Sequence, residues 1–297
     1  MVRHVVDAVL MLGPRRFLAV VTPDDQAVAK ELGGMPVDVG FVPSEMRQDS
    51  GAAVLAALAT WTDDDLELDL DPDEDDVLVV PANVPLLSGE TLRAMHRAHR
   101  RSDASATVLS ADADGEVESG VWLVRRSLLA PALRRAGSPD VAAIGAVLRE
   151  TGHDIDVFVA PFPEETWEVR DRADLARVEA RLRRRINSRW LHRGVSMMDP
   201  QRTYIDSTVE LHSDVSLYPG VVLEGATTIG SGTEIGPGCR LVDTRVGAHC
   251  RLDRTSGELA TVGDHSRVGP YAVLEPGSEI PAATVTGPFY TAGPDTN

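Results

Sequence analysis

The 297 residues carry a formal net charge of -17, with 43% hydrophobic and 4% aromatic content. That length accommodates two ordinary domains and that composition a buried core, while the acidity argues against a general nucleic-acid or membrane-surface role. The two cysteines, Cys239 and Cys250, make no disulfide framework, so a reducing compartment is expected, with core packing as their role rather than metal or redox use.

The apolar run at 5–12 contains Asp7 and stops at Gly13-Pro14. It is too short to span a bilayer and lacks a cleavage site, so a cytoplasmic protein is expected. Residues 1–165 then alternate short apolar runs with helix-period segments. Strands are expected over 17–21, 37–42, 77–80, 106–109, 121–124 and 155–160, and helices over 25–32, 51–60, 89–100 and 141–151. This order predicts an α/β domain with a mostly parallel sheet. The acidic run at 62–76 reads as a solvated loop; a calcium loop would need a turn glycine, which it lacks.

A linker helix follows at 166–193, its periodic part starting at 170, with Leu175, Val178, Leu182, Ile186 and Trp190 on one stripe. Nine arginines against four acids occupy 166–193. They suit a connecting helix packed on acidic neighbours, or a site for RNA, phosphate or an acidic partner; no aromatic platform supports the RNA reading. The only lysine in the chain is Lys30, the single candidate for lysine chemistry.

From 194 to 297 an aliphatic residue recurs every six positions: Ile205, Leu211, Leu217, Leu223, Ile229, Ile235 and Leu241. After a five-residue step come Val246 and Leu252, then a loop expected near 255–261, then Val262, Val268, Leu274 and Ile280. Four residues after many anchors sits a small or β-branched residue, such as Val209, Thr227, Cys239 or Ala272. Three six-residue rungs make one triangular coil, and inward anchors stack in ladders, so the segment from about 205 to 284 reads as a left-handed parallel β-helix. The stretch 288–297 is expected to be irregular.

The junction and first coils, GVSMMDPQRTYIDSTVELHSDVSLYPGVVLEGATTIGSGTEIGPGCRL at 194–241, with Val268-Gly-Pro-Tyr-Ala-Val-Leu-Glu-Pro-Gly277, carry a resemblance. The chain resembles the bifunctional N-acetylglucosamine-1-phosphate uridyltransferase/glucosamine-1-phosphate N-acetyltransferase family, which makes a cell-wall sugar nucleotide. The resemblance implies a nucleotidyltransferase-like, Rossmann-type domain at 1–165 joined to the β-helix. It also implies a truncated and degenerate member. The family's Gly-rich phosphate loop and its lysine have no counterpart here. Its uracil-reading Gln falls on Ser44, and its Leu-Gly-Thr-Gly-His-Ala run falls on Gln48-Asp49-Ser50-Gly51-Ala52-Ala53. Its metal-binding Asp falls on Asn83, its second metal ligand on Asp171, and its Asn-Ala-Gly on Glu118-Ser119-Gly120. The arginine that binds the sugar phosphate in the acetyltransferase half becomes Glu275, and the later catalytic coils are missing.

These substitutions lead to the expectation of a pseudoenzyme without catalytic residues. A residual nucleotide pocket would comprise Ser44, Ser50, Gly51, Asn83 and Gly120. No cofactor is expected, save Mg2+ if nucleotidyltransferase activity persists. Expected partners are copies of itself in a homotrimer, or the active family enzyme in a hetero-oligomer, with a sugar nucleotide as possible ligand. His212, His249 and His265 read as surface residues. Two alternatives remain open: an enzyme with altered nucleotidyl chemistry, and partner or RNA binding through the Arg-rich helix.

Overall fold

The computed structural model describes residues 1–41, 50–60, 75–114, 118–137, 141 and 143–293. The chain divides into two compact units, Met1–Val178 and Glu179–Asn297.

In the first unit the elements run α1 (Val2–Leu10), β1 (Leu18–Val21), α2 (Gln26–Leu32), β2 (Asp38–Phe41), α3 (Ser50–Thr60), β3 (Asp76–Val79), α4 (Gly89–Ser102), β4 (Ala106–Ser110), β5 (Glu118–Arg125), α5 (Arg126–Ala136), α6 (Ala143–Glu150) and β6 (Ile155–Val159). The main sheet has the order β3-β5-β4-β6. Alternation along β5 sorts its side chains: Val121 and Leu123 face a core shared with Val5, Val9, Leu92 and Met95 of α1 and α4. Trp122 and Val124 face another core, shared with Leu129, Leu133, Ile144 and Leu148 of α5 and α6. Burial on both faces explains why these strands read as continuous apolar runs.

The mostly parallel expectation is corrected. β5 is antiparallel to both β3 and β4, whereas β4 and β6 are parallel, as are β1 and β2 in a separate pair. The connection from Ser110 to Glu118 is too short for the helical crossover that a parallel pair needs, so the chain turns back on itself. Helix α5 escaped the sequence reading because Pro131 lies inside it.

The second unit begins within α7 (Arg172–His192). Its β-helix has three parallel sheets. One stacks Ser196–Met197, Ser216–Leu217, Glu234–Ile235, Arg251–Leu252 and Arg267–Val268. The anchors Ile205, Leu211, Leu217, Leu223, Ile229, Ile235, Leu241, Val262, Val268 and Leu274 lie in one continuous buried core. Two residues before each anchor sits a second inward residue, such as Val221, Thr233, Cys239, Thr255 or Ala260. Several of these carry hydroxyls that tie coils together. Thr233 Oγ1 donates to the Gly247 carbonyl (2.8 Å) and accepts from the Cys250 N–H (3.0 Å), so a buried polar group is fully used. Burial pushes the Cys239 thiol up to about 11 and the Cys250 thiol upward, in keeping with core packing.

Three expectations about the repeat are corrected. The loop at 255–261 is a rung: Ser256–Glu258 pairs with Arg240–Val242, and Gly257 takes the anchor place opposite Leu241. A Cβ on Gly257 would lie 3.2 Å from Leu241 Cδ2 and 3.6 Å from Leu274 Cβ, so the facing leucines fill the space of the missing side chain. The tail is not wholly irregular, since Thr291–Ala292 pairs with Val273–Leu274. At the other end the coils begin earlier than Ile205, at Ser196–Met197. There Ile186 and Trp190 of α7 join the β-helix core, and Asn187, buried, donates to the carbonyls of Pro200 (2.7 Å) and Thr203 (2.9 Å). Asp199 caps that turn by accepting from the Gln201 and Arg202 N–H groups. The junction motif is therefore a clamp between helix and first coil.

Candidate functional site

In α/β sheets, ligand sites form in crevices beyond the carboxyl ends of strands. β3 ends at Val79, and the Pro81-Ala82-Asn83 turn follows. The Asn83 carbonyl accepts the Val169 N–H at 2.8 Å, which brings the chain leading into α7 against this turn. Gly120 completes the corner with φ +69: a Cβ there would stand 3.0 Å from Pro81 Cγ and 3.9 Å from Glu168 Oε1. A side chain would be strained at that φ and crowd Pro81, so glycine fits. The buried Ser119 donates to the Leu109 carbonyl (2.9 Å), fixing the start of β5 beside the end of β4.

Asn83, Gly120 and residues 168–169 thus converge. Asp171 sits at the head of α7, where its Oδ1 accepts the Asp174 N–H (2.8 Å) as a cap. Hydrogen bonds from the Arg170 side chain and backbone hold the Asp174 carboxyl below its ordinary range; burial opposes them, and Arg177 adds to them. Ser50 and Gly51 enter by another tie. The Ser50 hydroxyl accepts the Val141 N–H at 2.9 Å, and Gly51 is buried in α3. Ser44 and most of the acidic run, 61–74, lie outside the described residues.

Sequence reasoning missed Glu168, the carboxylate nearest Gly120. Its one signal was its place three residues before Asp171, in a segment read only as the start of a helix. It also missed a buried network at the opposite end of β3. There Asp76 meets His99 Nε2 (3.2 Å), and His99 Nδ1 meets Thr107 Oγ1 (2.8 Å). Burial pushes the Asp76 carboxyl up, but the hydrogen bond from His99 and the charges of His99, Arg100 and His96 outweigh it and leave the carboxyl lowered. His99 and Thr107 are buried, so this network stabilises the fold rather than meeting substrate.

Several arginines in and just before α7 engage acids or aromatic rings. Arg170 and Arg177 pair with Asp174. Arg177 also lies over Trp167, Arg183 over Tyr204, and both Arg189 and Arg193 over Trp190. Each of these rings thus carries a guanidinium of the helix on one face. In the β-helix, His212, His249, His265 and Glu275 are exposed. A cavity of about 100 Å³ there is lined by Tyr218, Glu234, Arg251 and Asp253, among others. It is small beside the roughly 300–1,000 Å³ of typical ligand pockets. Among the described residues no helix is long and apolar enough to cross a membrane.

The chain resembles known proteins over most of its length. A MobA-like NTP transferase domain matches residues 1–155. The bifunctional protein GlmU of Streptomyces avermitilis is 35% identical over 252 residues, covering 72% of this chain and 52% of that protein. Its counterpart in Streptomyces coelicolor is 31% identical over 334 residues, covering 98% of this chain and 67% of the relative. The chain therefore spans between about half and two thirds of the length of these two relatives. A nucleotidyl transferase from Methanothermobacter thermautotroptrophicus shares the fold, with a TM-score of 0.50 at 19% identity, over 62% of this chain and 81% of that one.

Proposed function

The chain belongs to the GlmU family of sugar nucleotidyltransferases, with a MobA-like NTP transferase domain at its head, and on that premise we propose that it is a pseudoenzyme: a paralogue that keeps the scaffold without the chemistry. The observation that carries this reading is Asn83. It stands in the turn beyond β3, tied to Val169 and so to the approach to Asp171, but it offers a neutral amide, a poorer ligand for a hard divalent cation than a carboxylate. Asp171 has one oxygen committed to capping α7. This donor set fits Mg2+ poorly, and no step is assigned to a metal. Nucleotidyl transfer depends on charge neutralisation, and loss of one preorganised electrostatic group commonly costs roughly 3–4 kcal/mol of barrier stabilisation. In the β-helix, exposed Glu275 would repel a sugar phosphate.

As a cytoplasmic scaffold or regulator of amino-sugar metabolism, the protein would assemble through its β-helix as a homotrimer or with the active family enzyme. Mass measurement of the native assembly tests this. Purified protein given UTP, N-acetylglucosamine 1-phosphate and Mg2+ should release no pyrophosphate above background. Turnover at the rate of an active family member would overturn the pseudoenzyme reading.

Glu168 favours a second reading, residual or altered nucleotidyltransferase activity, because it places a carboxylate beside Gly120. Under that reading UTP, UDP-N-acetylglucosamine or Mg2+ raises the melting temperature of the α/β unit, and Glu168→Gln abolishes the rise. No shift with any of the three removes it.

A further inference from the structure

At one corner of the β-helix, successive coils place Gly232, His249, His265 and Ala283 in a column. The column is held by backbone hydrogen bonds from His249 N–H to Ser231 (2.9 Å), His265 N–H to Ala248 (2.9 Å) and Ala283 N–H to Asp264 (2.7 Å). Both histidines adopt the same left-handed backbone, φ 55 and 63. Their rings lie 5.3 Å apart at 14°, and both residues are exposed. Among the described residues, no protein hydrogen bond occupies either ring. Packing alone does not call for histidine here. Another corner has the same backbone at Tyr271 and Phe289 (φ 62 and 59), and there two apolar-faced rings stack at 5.2 Å and 11°.

We infer that His249 and His265 form a surface chelate for a borderline divalent transition-metal ion such as Ni2+, Cu2+ or Zn2+, with water completing the coordination. Two imidazoles bound to one such ion at about 2.0–2.1 Å have ring centres roughly 4.5–5.2 Å apart at square-planar or tetrahedral angles. The observed 5.3 Å needs only rotation of the rings about their side-chain torsions to bring one nitrogen of each onto the ion. The coil spacing, fixed by the backbone ladder, means that little order must be created on binding. Imidazole ligands select this class of ion over Mg2+ or Ca2+. Asp264 adjoins the site, its Oδ1 engaged by the Ala248 N–H at 2.8 Å.

The test is titration of the full chain at pH 7.5 with Ni2+ by calorimetry and with Cu2+ by electron paramagnetic resonance. The variants are His249→Phe and His265→Phe, whose rings the Tyr271 and Phe289 corner shows this backbone accepts. His249→Gln and His265→Gln repeat the loss of imidazole without a ring, and circular dichroism checks each fold. The parent should bind one Ni2+ at least about tenfold more tightly than any of the four variants, because the second ligand acts at high effective concentration. Its Cu2+ spectrum should report two nitrogen ligands, reduced to one in each variant. His212→Ala should leave binding unchanged. Equal affinity in parent and His249 or His265 variants overturns the inference, as does a one-nitrogen parent spectrum or loss of binding in His212→Ala.

Discussion

The β-helix and the α/β unit are ordered by opposite logics. In the β-helix, residues that meet are separated by one coil: Leu223 stacks on Ile205 below and Leu241 above. In the α/β unit, residues that meet can come from remote parts of the chain, as when Asn83 meets Val169 or Ser50 meets Val141. What the β-helix conserves from rung to rung is a pair of inward positions two residues apart, not the rung length. The step between anchors shortens from six to five residues at Val246, Gly257 and Val262, and the ladders continue in register. A repeat can lose a corner residue and keep its ladders.

That contrast can be broken or sharpened by substitution. The largest effect is expected from Trp122→Ala. Trp122 is fully buried among Leu129, Ile144 and Leu148, and its removal should cost the α/β unit about 3–5 kcal/mol. Hydrogen exchange should show β-helix amides unchanged; equal loss in both units would break the contrast.

Next comes Asp76→Asn, expected to cost about 1.5–3 kcal/mol near pH 7 by weakening a charged hydrogen bond to buried His99. The folded Asp76 carboxyl is lowered from its ordinary value. Its contribution is therefore fully present above an unfolded pKa of about 3.9 and is lost as pH falls through the folded value. Denaturant titrations from pH 7 down through pH 3 should show the gap between parent and variant constant to about pH 4 and narrowing below it. A gap that stays constant would mean that charge is not what Asp76 supplies.

The smallest effect is Gly257→Val, expected to lower β-helix stability by about 1–3 kcal/mol through overpacking against Leu241 and Leu274. Thermal unfolding measures it. A stabilised variant would mean that the rung merely lacks an anchor, rather than having leucines fitted to the gap.

The same contrast explains what could be read from sequence. Ile205 through Leu274 announced their burial because inward positions recur locally. Gly257 hid its rung because an anchor without a side chain has no hydrophobic signal. Most elements of the α/β unit were legible from apolar runs, clearest in β4 and β5, which are covered on both faces. The direction of β5 was not, because strand direction is set by connection length rather than by the strand's own residues. Asn83 and Gly120 could be aligned by motif, but Glu168 could not. Its place beside Gly120 depends on a backbone hydrogen bond between residues 83 and 169 that no spacing rule encodes.

The thiols inside the β-helix have a consequence for reactivity. Burial pushes the Cys239 thiol up to about 11, so its thiolate is scarce at pH 7, and the residue is buried. Alkylating reagents meet it only when a coil parts from its neighbour. Cys239 and Cys250 lie two rungs apart in the same buried core, so their labelling reports the parting of neighbouring rungs.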